Sequence, residues 1–121
     1  MALAKTLSVT LNGVAAQLVE VEANIGAGLP GTHIVGLASA AVNQARDRIK
    51  IAAQNSKLPW PKTKIMVSLL PSDVPKTGSH FDAAIAVAIL SATHPDARVR
   101  ASLANTMVLG EIGFDGRLRA V

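Results

Sequence analysis

No cysteine and no tyrosine occur in the 121 residues of this chain. The first absence excludes disulfides, thiolate catalysis and Cys-ligated zinc, and it is compatible with a reducing cytoplasm, the expected location. The second, with only two Phe and one Trp, leaves few aromatic platforms for stacking on single-stranded bases. Long hydrophobic runs are missing too. The longest, FDAAIAVAIL from Phe81 to Leu90, falls well short of the ~20 residues of a membrane helix, so no membrane contact is expected. The start, MALAKTLSVTLNG, soon alternates like a strand and lacks the apolar core of a signal peptide. What is present is aliphatic: 50% of residues are hydrophobic, chiefly Ala, Val, Ile and Leu, which suffices for one core and one domain over residues 1–121. Twelve Lys or Arg against eight Asp or Glu give a net charge of +4, a basic excess that permits contact with nucleic acid.

Along the chain, KTLSVTLNGVAAQLVEVEANI reads as a hairpin. Leu7, Val9 and Leu11 alternate with polar residues, Asn12-Gly13 supplies the turn, and Leu18, Val19 and Val21 resume the apolar pattern. GAGLPG is a loop, and THIVGL from Thr32 is a short β-branched strand. Ser39 is placed to N-cap a helix that turns Val42, Ala45, Ile49 and Ala52 inward and Asn43, Arg46, Asp47 and Lys50 outward. Asn55 and KLPWPK end it, because Pro59 and Pro61 remove backbone donors. KIMVSLL from Lys64 alternates too little to have a wet face and reads as a central strand. Phe81 to about Ala92 is apolar nearly all round and predicts a buried helix. PDARVRASLAN reads as a charged surface connection, and TMVLGEIGFDGRLRAV as a closing hairpin with Gly113 to Gly116 at its turn. This order predicts an α/β chain of the α+β kind, a two-layer sandwich with both main helices on one face of a mixed sheet. Ending within a strand at Val121, the sequence reads as part of something longer.

Several short motifs invite chemistry. Gly26, Gly28 and Gly31 match G-x-G-x-x-G, but the dinucleotide loop must open directly into a helix, and here a strand pattern follows. The same stretch lacks the lysine of a P-loop. His33, His80 and His94 have no helical pairing and no Cys to assist, so they read as structural or solvated rather than metal-ligating. Ser79, His80 and Asp82 are the residue types of a hydrolase triad, yet neighbours in sequence point apart and do not form the relay. Ser79 with Lys76 as its base is the better enzymatic reading. Against it stands a helix entrance: Gly78 or Ser79 as N-cap, Asp82 in the first turn beside the helix dipole, and Pro71 and Pro75 stiffening the approach.

GLPGTHIVGLASAAVNQARDRI, LLPSDVPKTGSHFDAAIAVAIL and LGEIGFDGRLRAV together resemble the N-terminal domain of the magnesium-chelatase-like AAA+ ATPases of the YifB and ComM family, over essentially the whole chain. The resemblance implies the ribosomal protein S5 domain 2-like fold, related to the proteolytic domain of Lon and the C-terminal domain of RadA. It also implies an AAA+ ATPase module after the end hairpin, with ATP and Mg²⁺ as that module's cofactors and none in residues 1–121. Assembly into a homo-oligomer, a hexamer, and DNA branch migration during natural transformation are further implications. Lon carries its nucleophile in Pro-Lys-Asp-Gly-Pro-Ser-Ala-Gly. Matched to it, PKTGSHFD sets Pro75, Lys76 and Gly78 on their counterparts, places His80 where the Ser belongs, and leaves Ser79 one position early. Phe81 and Asp82 replace the small residues that follow, as in the non-proteolytic relatives. The expectation is a non-catalytic accessory domain with DNA as partner. Lys62, Lys64, Lys76, Arg98, Arg100, Arg117 and Arg119 are its candidate phosphate contacts, Gly78, His80 and Asp82 its remodelled loop, and no metal site is expected. The alternatives are a Lon-type serine peptidase using Ser79 and Lys76, and a purely structural domain between subunits.

Overall fold

The computed structural model of the chain describes residues 2–12, 15–71, 76 and 78–119. Strands β1 (Ala2–Asn12) and β2 (Ala15–Gly26) pair antiparallel along their full length, from Ala2 opposite Ile25 to Asn12 opposite Ala15. Gly13, the second residue of the expected turn, lies outside the described residues. The glycine-rich stretch after β2 leads directly into β3 (Gly31–Val35), which rules out the helix that a dinucleotide loop needs. Helix α1 (Ser39–Ser56) then crosses to β4 (Lys64–Leu70), which lies parallel to β3 and antiparallel to β2. The sheet order is therefore β1-β2-β4-β3. A 3₁₀ turn (Ser79–Phe81) leads into α2 (Asp82–Ala92), followed by α3 (Ala97–Ala104) and the short hairpin of β5 (Glu111–Ile112) and β6 (Leu118–Arg119). This is an α+β sandwich built on a mixed sheet.

Four sequence expectations change. PDARVRASLAN is not a connection but mostly helix α3, whose N-cap Asp96 accepts from the Arg98 backbone N–H at 2.9 Å. Ser39 is not the cap of α1; that position belongs to Ala38, with no side-chain hydrogen bond. β4 is central but not dry on both faces, since Ile65, Val67 and Leu69 are buried while Met66, Ser68 and Leu70 are only half-buried. The face of β1 is inverted: Ala4, Thr6 and Ser8 point into the core, and Leu7 and Val9 lie on the outer face.

The inversion follows from α2. Its Ala83, Ala84, Ala86, Ala88 and Ala92 are all buried, and α2 packs on β1 and β2. Small residues let the helix approach closely, so that Thr6 Oγ1 reaches the Ala84 carbonyl at 2.9 Å and its polarity is satisfied inside. Ala4, Thr6 and Ser8 face Ala23, Val21 and Val19 of β2 on the same side, and Ile34, Ile65, Val67, Leu69, Phe81, Ile85 and Ile89 complete the core. The outer edge of β1 is partly covered: Leu7 N–H donates to the Thr106 carbonyl and the Val108 N–H donates to Leu7.

Two predictions follow from this packing. Gly36 sits at φ 98°, and a methyl group there would lie 2.4 Å from the Leu69 carbonyl oxygen. Gly36→Ala is expected to cost at least about 2 kcal/mol in urea unfolding, whereas Ser39→Ala stays within about 0.5 kcal/mol. Among the described residues, Ser8 Oγ and Ser91 Oγ are buried with no hydrogen-bond partner. Ser8→Ala is therefore expected to be neutral or to stabilise by up to about 1 kcal/mol, because it removes a desolvated hydroxyl.

Candidate functional site

The segment between β4 and α2 was the sequence's candidate for chemistry. Its lysine is not at a loop tip. Lys76 is 4% exposed, and its backbone is clamped to the connection between β3 and α1: Lys76 N–H donates to Gly36 at 2.9 Å, and Ala38 N–H donates to Lys76 at 2.9 Å. Its Nζ donates to the Leu69 carbonyl at 3.2 Å and to the Pro71 carbonyl. An ammonium buried against carbonyls is satisfied in place, so Lys76 is a structural cation and leaves the set of surface phosphate contacts. Val74 and Pro75, the latter expected to stiffen this approach, lie outside the described residues.

Gly78, at φ 110°, is the residue before the 3₁₀ turn, and no side chain caps either that turn or α2. Of the two expected caps, Gly78 occupies the N-cap position of the 3₁₀ turn and Ser79 does not, while the N-cap of α2 itself falls on Phe81. Backbone contacts with the residue before β5 add to this start, Gly110 N–H donating to the His80 carbonyl and Ala83 N–H donating to Gly110, both at 3.0 Å. His80 Nε2 lies 2.9 Å from the Val9 carbonyl, where it must carry a hydrogen, and the ring rests against Phe81. Ser79 is half-buried beside it. Lys76 and His80 therefore point to different neighbours.

Asp82 belongs to the start of α2, as expected, but its chief partner is not the helix dipole. It is 1% exposed and receives a bidentate pair from Arg48 of α1, Nε to Oδ2 at 2.7 Å and Nη2 to Oδ1 at 3.0 Å. The Ile112 N–H of β5 adds a third bond at 3.3 Å. The hydrogen bond to Asp82 raises the Arg48 pKa above its already high ordinary value; partial burial opposes this, and the charges of Asp82 and Glu111 reinforce it. A raised pKa contributes stability below the ordinary value and loses it only as pH rises through the raised one, so the Arg48 contribution is fully present at neutral pH. Arg48 went unnoticed in sequence because nothing in a helix's own periodicity tells which of several outward cations will meet a buried acid 34 positions away.

The remaining candidate cations do not form one patch. Lys62 and Lys64 are exposed where the chain enters β4. Arg98 and Arg100 lie on α3, which packs against β1 at the opposite edge of the sheet from β3. Arg117 and Arg119 lie at the closing hairpin. Arg98 has Asp96 at 3.7 Å and Arg117 has Asp115 at 3.9 Å, exposed pairs of little energetic weight. Among the described residues, no three His, Cys, Asp or Glu side chains come together as a metal site, and no helix is long and apolar enough to cross a membrane.

Residues 21–121 match the family model described as subunit ChlI of Mg-chelatase. The chain is 44% identical over 121 residues to an uncharacterized protein of Mycobacterium tuberculosis, covering all of this chain and 24% of that protein. It is 39% identical over 109 residues to the uncharacterized protein YifB of Escherichia coli, 90% of this chain and 21% of YifB. To the competence protein ComM of Haemophilus influenzae it is 37% identical over 121 residues, all of this chain and 23% of ComM. An α+β domain with this match belongs to the ChlI family of Mg-chelatase subunits. YifB and ComM are its homologues, and the chain spans about a quarter of the length of these relatives.

The ion pair sets the prediction for this site. Arg48→Met leaves a desolvated carboxylate and Asp82→Leu an unpaired guanidinium, so each is expected to cost about 3–5 kcal/mol in chemical denaturation. The double variant is expected to lose clearly less than the two single losses added together, a coupling that a double-mutant cycle measures.

Proposed function

We propose that the chain is the non-catalytic N-terminal domain of a magnesium-chelatase-like AAA+ ATPase, and that it contributes DNA contact to that motor. The observation that carries the non-catalytic half is the disposal of the loop's chemistry. Lys76 Nζ is spent on backbone carbonyls, Asp82 on Arg48, and His80 Nε2 on Val9, so Ser79 has no general base assigned to it among these groups. Support for the DNA half is the net charge of +4 with cations on several exposed surfaces, together with a homologue named as a competence protein, ComM. ATP and Mg²⁺ belong, on this reading, to a module outside the 121 residues, and the parent protein is a cytoplasmic homo-oligomer, a hexamer.

A second reading, contact between folded units, is favoured by exposed Leu109, Phe114 and Leu118, which give the closing hairpin and its approach an apolar surface. One comparison separates the two. Oligonucleotide affinity of the parent-length protein is measured at two salt concentrations, with residues 1–121 present and deleted. Loss of affinity and a shallower salt slope on deletion are expected; unchanged affinity and slope leave ring assembly as the domain's role. The peptidase alternative predicts instead that Ser79→Ala in the parent-length protein abolishes peptide hydrolysis while leaving the fold intact.

A further inference from the structure

The segment that ends α1 carries more than a helix stop. Lys57 turns the chain at φ 55°, and Leu58, Pro59, Trp60 and Pro61 then connect α1 to β4. Two prolines and the bond from the Trp60 backbone N–H to the Leu58 carbonyl at 2.8 Å restrain the backbone here, and the Trp60 side chain packs partly against the core. Trp60 borders two open hollows. One, of about 450 Å³, is lined by Thr32, His33, Arg46, Asp47, Lys50 and Lys62 among others. The other, of about 510 Å³, lies on the side of Lys57 and Leu58 and shares Lys50 and Lys62.

The charge here is one-sided. Arg46, Lys50, Lys57, Lys62 and Lys64 line these hollows and the adjoining strip along His33 and Met66, and among the described lining residues Asp47 is the one carboxylate. Five cations against one carboxylate give these six residues a charge of +4, equal to the net charge of the whole chain. Among the described residues, Lys50, Lys57, Lys62 and Lys64 have no ion-pair partner within 4.0 Å. Arg46 is the exception in rigidity: it donates to Asn43 Oδ1 at 2.6 Å and to the Thr32 carbonyl at 3.3 Å, which orients its guanidinium and leaves donors over.

We infer that this basic cleft is a track for single-stranded nucleic acid, with Trp60 as the stacking platform and the five cations holding phosphates. The inference rests on the DNA-contact reading and locates it. An indole recessed in a concave surface meets only a base that has left its stack, and stacking with cations around it tolerates any sequence. A duplex keeps its base faces covered and engages the cations alone.

Trp60 is the only tryptophan of a chain without tyrosine, so its emission reports on this cleft alone. Titrating the 121-residue chain with an oligothymidylate of about 15 nucleotides is expected to quench Trp60 to saturation, with log K falling against log salt at a slope of about −3 for four or five contacts. A duplex of equal length binds more weakly and quenches little. Lys50→Glu with Lys62→Glu, both exposed, weakens binding about tenfold or more with an unchanged circular dichroism spectrum. Followed by anisotropy of a labelled strand, Trp60→Leu weakens it about tenfold while Trp60→Phe keeps most of the affinity. Unchanged affinity in these variants overturns the cleft. If Arg98→Glu with Arg100→Glu, or Arg117→Glu with Arg119→Glu, abolishes binding instead, the cleft is wrong and DNA contact by this domain stands. If neither strand nor duplex binds, and deletion of residues 1–121 leaves the parent-length protein's affinity unchanged, both readings fall. Equal quenching and full competition by polyglutamate assigns the cleft to an acidic protein partner and likewise overturns the proposal.

Discussion

One carboxylate holds three elements of this domain in register. Asp82 stands at the first residue of α2, almost wholly desolvated, and it is filled by two bonds from Arg48 of α1 and one from the Ile112 backbone of β5. An unpaired buried carboxylate is costly, so the position of α2 depends on the donors that α1 and β5 supply to it. The hairpin is then secured from a second direction by Asn55, whose Nδ2 donates to the Phe114 carbonyl at 2.7 Å. The α1 helix that is anchored in this way also presents Arg46 and Lys50 on its outward side, next to Trp60. The basic cleft and the buried pair are therefore two faces of one helix, and disturbance of the second would shift the first.

Lys76 repeats the same physics on the other side of the loop. A cation enters the interior only with its donors engaged, and the carbonyls of Leu69 and Pro71 serve that purpose while the Lys76 backbone ties the β3–α1 connection to the loop. A stretch that concentrates Lys, Ser, His and Asp in seven residues has the appearance of a catalytic loop because these are also the residues with which a buried turn satisfies itself. What separates the two cases is direction. A reactive site converges its groups on one point, whereas these diverge toward Pro71, Val9 and Arg48.

Most of the element order was legible in the sequence. The first hairpin, the THIV strand, α1 with its inward Ala45, Ile49 and Ala52, the KIMVSLL strand, the apolar helix and the closing hairpin all follow from period, turn residues and prolines. The failures have a common source. Thr6 and Ser8 face inward because the alanines of α2 bring a helical carbonyl within reach, and no local alternation rule contains that information. The α3 helix was hidden in a charged stretch because its apolar face, resting on β1, is too short to set a pattern; none of its residues is fully buried. Of the candidate site, the sequence named Lys62 and Lys64 but scattered the rest over α3 and the hairpin. In sequence, Arg46 and Lys50 are simply outward positions of α1, and Trp60 is part of the stretch that ends it.

The family, the aliphatic core and the basic excess were determined by the sequence itself, because each is a property of composition or of ordered motifs that survives without coordinates. The tertiary structure alone decided which cations are structural and which are exposed. Whether a lysine ends among carbonyls, as Lys76 does, or beside an indole at the surface, as Lys62 does, depends on the neighbours that distant segments bring to it. Burial and pairing are relations between elements, and the identity of a residue carries only its capacity for them.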